Sequence, residues 1–154
     1  PRPPPTTTPY TCRRQRQMCI RDRQGVYIMG GDVDDSLLAA GLLKEDVLSS
    51  VESQLGRTSL RLLDETEWLM LDDAPVLHVE ITSALAENGQ LLYNVRIEVL
   101  FLVNPVSRRD FMTYAVAWGE GKYGIVGPGG GETIIDTVAL LLNRLLADFE
   151  AVNS

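Results

Sequence analysis

The chain has 154 residues, of which 14 are Lys or Arg and 21 are Asp or Glu, so that its formal net charge is −7 at pH 7. A surplus of negative charge repels polyanions, which argues against nucleic acid or an anionic membrane surface as the partner. No stretch approaches the roughly 20 apolar residues that a membrane-spanning helix requires.

The first 23 residues differ in character from the rest of the chain. Residues 13–22 can be written in codons that spell a transposase-type library adapter, so residues 1–23 resemble translated sequencing adapter and we predict that they are not native. The alternative interpretation is a disordered, basic Pro/Thr-rich tail. A chain truncated at this point would have lost any signal peptide or lipid anchor, which leaves an extracytoplasmic location open.

Setting residues 1–23 aside changes two inferences. Both cysteines, Cys12 and Cys19, lie in this segment, so residues 24–154 contain no thiol for a disulfide or a metal site. The remaining residues hold 8 basic against 20 acidic side chains, a difference of −12. Residues 24–154 fit one compact domain.

The first half of this domain begins with a short β-rich run at residues 26–29, which predicts a strand. Apolar residues recur every three or four positions over residues 43–55, which predicts an amphipathic helix with one buried face. Residues 58–63 form a possible strand, and residues 64–73 fit no element firmly. Alternation over residues 76–82 predicts a half-buried strand.

The second half begins with an Asn-Gly turn, Asn88-Gly89, which predicts a hairpin. Residues 93–103 alternate clearly and form the best-defined strand. Residues 111–118 predict a further antiparallel strand, with residues 122–126 as its hairpin partner or its continuation. After a glycine-rich loop, apolar periodicity over residues 132–152 predicts a second amphipathic helix.

This order of elements predicts an α+β fold, β-α-β-β-β-β-α. We expect a two-layer sandwich in which two helices cover one face of a mainly antiparallel sheet of four to five strands. The neighbours of the first strand are the least determined part.

The closing segment, residues 146–154, is a helix that ends on Phe149, Val152 and Asn153. Together with the order of elements, it resembles small uncharacterised envelope proteins of bacteria, and the layout is similar to the N-terminal domain of the periplasmic TolB protein. The resemblance implies an extracytoplasmic, non-catalytic role in protein complexes. It transfers no functional residue to this chain.

The glycine loop that precedes the last helix is one candidate ligand site. Free backbone N–H groups of Gly129, Gly130, Gly131 and Thr133 would favour a phosphate or carboxylate. However, Glu132 stands where a phosphate-binding loop needs Lys, and the dinucleotide fingerprint is missing. We predict a connecting loop, with anion binding as the alternative, and no cofactor.

Acidic residues form two further candidate sites. Asp32, Asp34 and Asp35 resemble a cation-binding cluster without the Gly and distal Glu of a calcium loop. A second cluster comprises Asp64, Glu65, Glu67, Asp72 and Asp73. The default interpretation of both is a solvated edge that blocks aggregation of sheets.

The only histidine, His78, and the nearby Glu80 lie on the polar side of a predicted strand. They are a possible base and its orienting carboxylate, but no nucleophile motif accompanies them, and a solvated surface pair is the expected interpretation.

Apolar residues on the uncovered side of the sheet are the last candidate. We expect Leu100, Leu102, Met112 and Trp118 to lie there, either as an interaction surface or beneath the segment 68–71. Two functions follow: a protein-interaction or self-association module of the bacterial envelope, or a small-molecule or ion-binding domain that uses the glycine loop or the acidic clusters. The first is favoured, with a cytoplasmic location as the alternative to the periplasm.

Overall fold

The computed structural model describes residues 25–71, 74–105 and 110–153. The segment 1–23, together with Asp72 and Asp73 of the second acidic cluster, lies outside these residues. The elements follow one another in this order: β1 (Val26–Gly30), α1 (Asp35–Ala39), α2 (Lys44–Leu55), β2 (Leu62–Leu63), α3 (Glu65–Leu69), β3 (Val76–Leu85), β4 (Leu91–Val103), β5 (Thr113–Val126) and α4 (Gly131–Asn153).

The five strands form one mixed sheet in the order β2-β1-β3-β4-β5. β1 runs parallel to both β2 and β3, whereas the β3–β4 and β4–β5 pairs are antiparallel. The predicted α+β class and the two-layer sandwich are confirmed. The antiparallel half is the predicted meander, and the parallel half contains the pairings of the first strand that the sequence left undetermined.

Helices α2 and α4 pack on one face of the sheet, which we call the covered face. Alternate residues of β3 and β4 point into it and are almost fully buried, as Val79, Val95 and Ile97 illustrate. Burial of such side chains stabilises the fold by about 1.5–3 kcal/mol each. None of the helices in the described part of the chain is long and apolar enough to cross a membrane.

Two short helices, α1 and α3, were not expected from the sequence. Asp34 caps α1 by accepting a hydrogen bond from the backbone N–H of Leu37, at 2.9 Å. Asp64 and Glu67 form a reciprocal capping box at the start of α3. In both cases a side-chain carboxylate satisfies an N–H group that the first helical turn leaves without a backbone partner, which allows one and a half turns to persist.

A β-bulge interrupts the pairing of β4 with β5. Val99 lies opposite Trp118 and Leu100 lies opposite Val116, so Ala117 is the extra residue. Because successive side chains of a strand alternate between faces, one extra residue exchanges the faces of all that follow. The faces of β5 are therefore assigned separately before and after Ala117.

Candidate functional site

The face of the sheet opposite α2 and α4, which we call the open face, has a polar centre. On β3 and β4 it carries His78, Glu80, Asn94, Arg96 and Glu98. The register places His78 opposite Glu98, and Glu80 opposite Arg96. The Nδ1 atom of His78 lies 3.9 Å from Oε2 of Glu98. The sequence suggested Glu80 as the carboxylate partner of His78, but the register pairs His78 with Glu98 instead.

Four apolar side chains of β5 line the margin of the open face. We call them the apolar row: Tyr114, Val116, Tyr123 and Ile125. Tyr123 is the most exposed, at 84%, and the others are 43–59% exposed. Single exposed apolar residues are ordinary, but a row of them on one strand is typical of a surface that binds another protein.

The backbone of β5 adds a second feature to the same margin. β5 spans 14 residues and pairs with β4 along one side, and no other strand in the described part of the chain pairs with its outer side. An unpaired edge offers a row of N–H and C=O groups to another strand. Proline, which often protects such edges, is missing from β5. The other edge of the sheet, β2, has only two residues.

Glycines of β5 leave a shallow depression of about 500 Å³ beside the apolar row. Gly119 and Gly121 form part of its floor, Val116 and Tyr123 flank it, and Arg96 lines it from β4. Glycine inside a strand leaves the backbone open to close approach by a ligand or another chain. The depression and the apolar row thus form one continuous surface.

Charges at the base of this depression are largely balanced. The side chain of Glu98 is only 12% exposed, and the guanidinium of Arg96 lies 2.5 Å from its Oε1 atom. That oxygen nevertheless accepts no hydrogen bond of acceptable geometry, so the pair is an electrostatic contact rather than an aligned hydrogen bond. Because this oxygen is enclosed by the protein, the side chain of Arg96, which is 55% exposed, is the part of the pair that another molecule can reach.

The four apolar residues expected on the uncovered side divide into two groups. Leu100, Leu102 and Met112 do not lie among the buried core residues, and Leu102 and Met112 line a cavity of about 310 Å³ beneath Trp68 and Leu71. The segment 68–71 therefore covers one corner of the open face in part. There the indole ring of Trp68 stacks on Tyr27, with ring centroids 4.7 Å apart.

Trp118 lies on the opposite side from the one predicted. The bulge at Ala117 turns its side chain to the covered face, where it packs against the core. Its indole Nε1–H donates a hydrogen bond of 2.9 Å to Asp148 of α4. Trp118 therefore links β5 to the last helix. The prediction that its side chain lies on the uncovered face is wrong.

The glycine loop makes contacts within the protein. The N–H of Gly130 donates to the carbonyl of Gly127, that of Gly131 to Ala40, and that of Thr133 to Gly130. Gly129 has a positive φ of 76°, which favours glycine. A Cβ atom on Gly131 would lie 3.0–3.1 Å from the backbone of residues 40 and 41, so this glycine permits close packing of α4 on α1. These N–H groups are already engaged and do not point to an anion site.

The carboxylates of the first acidic cluster serve different partners. Asp34 accepts hydrogen bonds from the Ser83 hydroxyl, at 2.7 and 2.8 Å, besides capping α1. Asp32 pairs with Lys44 at 3.2 Å, and its side chain is otherwise fully exposed. Within the ranges 25–71, 74–105 and 110–153, no three His, Cys, Asp or Glu side chains are grouped so that they could hold a metal ion.

Hydrogen bonds set the pKa of Asp34. Burial by itself raises the pKa, but the hydrogen bonds from the Ser83 hydroxyl and from the backbone N–H groups of Leu37, Ser36 and Ser83 outweigh it, so the pKa lies below its usual value. The shift is explained by capping and by the tie to β3.

Comparison with other proteins adds no assignment. No family model and no curated protein matches this sequence.

Tyr114, Tyr123 and Ile125 are candidate functional residues that sequence reasoning missed. The signal was the alternation of Tyr123, Gly124 and Ile125 after the glycines. It became interpretable only once residues 113–126 were seen to form one continuous strand at the edge of the sheet.

Proposed function

We propose that this chain is a protein-interaction module of the bacterial envelope, which binds a partner at the apolar row and the free edge of β5. The observation that carries this proposal is the coincidence of the two features on one strand. The row supplies apolar contact area, and the edge supplies backbone donors and acceptors to an added strand.

The chemistry of the surface favours an extended polypeptide as the partner. In strand addition, main-chain hydrogen bonds provide affinity and alternate side chains provide specificity. Val116 and Tyr123 flank the glycine depression, so an added strand would place a side chain between them. The exposed guanidinium of Arg96 would orient a polar group at that point.

The envelope location is supported by the resemblance of the closing segment and of the layout to bacterial envelope proteins. It is tested by the genomic sequence that precedes the codon for Gly25. An apolar signal region with a cleavage site would support the location, whereas a start codon that is followed by no signal region would contradict it.

Selection from a random-peptide display library on the purified full chain tests the binding function. We expect selected peptides to carry alternating apolar residues. The variant Tyr123→Ser/Ile125→Ser should bind them at least about tenfold more weakly, because each lost apolar contact removes roughly 1 kcal/mol or more of binding free energy.

The matched control is Leu140→Ser, which changes an exposed apolar residue of α4 on the other side of the molecule. This control should keep the affinity of the full chain. Equal binding to both variants, or failure to select any peptide, would contradict the proposal.

A further inference from the structure

We infer that a second copy of this chain is the partner that pairs with β5, through a symmetric antiparallel contact whose two-fold axis passes through Gly121. This inference rests on the proposed function, since it uses the same strand edge and the same apolar row. It names the occupant and fixes the register of the pairing. Three observations on β5 carry it.

The first observation is the arrangement of charge on β5. Glu120 and Lys122 are its only charged residues, they flank Gly121, and both lie on the covered-face side of the strand. A two-fold axis at Gly121 sets Glu120 directly opposite Lys122 of the second copy, and does so twice. Opposite charges in directly opposed positions stabilise antiparallel strands, and like charges destabilise them.

The neighbouring symmetric registers lack this match. An axis at Glu120 would oppose this residue to its own copy, and an axis at Lys122 would do the same for the lysine. Both arrangements place like charges about 5 Å apart, which is unfavourable. Residues 24–154 carry far more acidic than basic side chains, but β5 contributes one of each and is therefore suited to self-association.

The second observation is the fit of side chains on the open face. The same axis sets Tyr123 opposite Gly119 of the second copy, so that the ring of an 84% exposed tyrosine would cover a glycine. An aromatic side chain opposite a glycine is a favourable cross-strand pair in sheets. When Ala117 is passed over, as it is in the pairing with β4, Ile125 falls opposite Val116.

The covered-face side is also compatible with this register, since Trp118 falls opposite Gly124 of the second copy. On each face, the axis therefore places a large aromatic side chain of one copy opposite a glycine of the other. A symmetric contact requires a surface that is complementary to itself, and this pattern meets that requirement.

The third observation is the length of unprotected edge. Bulges and charges usually protect edge strands. In β5 the bulge at Ala117 lies outside the stretch Trp118–Gly124, and Glu120 and Lys122 match each other within it. Interfaces that bury less than about 1,200 Å² are typical of weak, reversible complexes, and a contact through one short strand edge is of this small kind, so we expect a dissociation constant on the order of micromolar or weaker.

Sedimentation velocity of the full chain tests the inference. Over roughly 1 to 200 µM, a dissociation constant on this scale gives a monomer–dimer equilibrium. Lys122→Glu places Glu120 opposite a glutamate and should weaken self-association at least about tenfold. Arg57→Glu is the control, because it makes the same change of charge at an exposed position distant from β5 and should leave the dimer intact.

A charge-reversed partner sharpens the test. Glu120 also forms an ion pair with Arg144 of α4, so we combine Glu120→Lys with Arg144→Glu to keep that contact. On its own, this variant should also self-associate at least about tenfold more weakly than the unaltered chain, whereas its equimolar mixture with Lys122→Glu should form heterodimers at the strength of the unaltered chain, since every opposed pair then has opposite charges. Circular dichroism and thermal unfolding establish that both variants are folded.

The outcomes separate this inference from the proposed function. The inference of a second copy is overturned if the full chain is monomeric at all concentrations. It is also overturned if Lys122→Glu self-associates as strongly as the unaltered chain, or if the mixture of the two charge-reversed variants stays monomeric. If peptides still bind at Tyr123 while the chain is monomeric, the proposed function stands. If dimers form in the predicted register and no peptide binds, the dimer stands and the proposal of a different polypeptide partner falls.

Discussion

The two faces of the sheet are made from the same strands but differ in burial and in chemistry. On the covered face, the Tyr93 hydroxyl donates a hydrogen bond of 2.9 Å to the Thr137 hydroxyl within a close-packed core, since the proton of Thr137 is donated to the carbonyl of Thr133. On the open face, the half-exposed Arg96 and the nearly buried Glu98 form a polar centre beside the apolar row. The comparison teaches that stability and the proposed binding depend on different, alternate residues of β4 and β5.

The largest expected effect separates the faces directly. Leu142 is fully buried in α4 beneath the covered face, and we expect Leu142→Ala to lower the free energy of unfolding by about 2–5 kcal/mol, because it removes apolar contacts and leaves a cavity. Tyr123→Ala on the open face should change it by no more than about 0.5 kcal/mol. Urea unfolding measures both, and a similar loss in both variants would refute the division between the faces.

How far the sequence predicts these faces depends on how local the signal is. The period of apolar residues in α2 and α4 and the alternation in β4 identify the core side of each element, because one face of each is buried. The capping box of Asp64 and Glu67 is also visible in the sequence, as an acidic residue followed three positions later by Glu, but the five-residue helix that it begins is too short to show a period of apolar residues.

The remaining features depend on contacts between distant segments. Nothing in residues 26–30 specifies that β1 runs parallel to both β2 and β3. The sequence gives no sign of the bulge at Ala117 either, and this bulge turns Trp118 to the face opposite the predicted one. Because that single residue sets the faces of the strand on either side of it, the apolar row could not be assembled from alternation alone.

Two glycines of β5 provide an intermediate test of the same comparison. A Cβ atom on Gly124, on the covered face, would lie 2.7 Å from the hydroxyl of Tyr93, whereas one on Gly121, on the open face, would meet its neighbours at ordinary contact distances of 3.4 Å or more. We expect Gly124→Ala to cost about 1–3 kcal/mol through overpacking. Gly121→Ala should be neutral or slightly stabilising, since alanine restricts the unfolded chain more than glycine does.

A double variant identifies the cause of the Gly124 effect. Tyr93→Phe removes the hydroxyl that the new methyl group would meet, so Gly124→Ala should cost less in that background than alone. Urea unfolding of the four proteins gives the interaction energy. Strictly additive losses would mean that the ring carbons of Tyr93, which lie 2.8 and 2.9 Å from the same position and remain in phenylalanine, oppose the new methyl group, and not the hydroxyl.

The smallest expected effect concerns the rim of the covered face, where Asp34 ties α1 to Ser83 of β3. Asp34→Ala should lower the free energy of unfolding at pH 7 by about 1 kcal/mol, the usual loss for a helix cap. Asp32→Ala, which removes an exposed ion pair with Lys44, should cost less than about 0.5 kcal/mol and is the control.

The pH dependence of the Asp34→Ala effect follows from the direction of the pKa shift. Hydrogen bonds from Ser83 and the backbone outweigh the effect of burial and hold the pKa of Asp34 below its usual value of 3.8, so the folded state favours the ionised carboxylate. This contribution is fully present above pH 3.8 and is lost as the pH falls through the lower pKa of the folded state. The difference in stability between the unaltered chain and Asp34→Ala should therefore be constant from pH 7 to about pH 5 and shrink below about pH 4. A difference that grew on acidification would show that the carboxylate is not what holds α1 against the covered face.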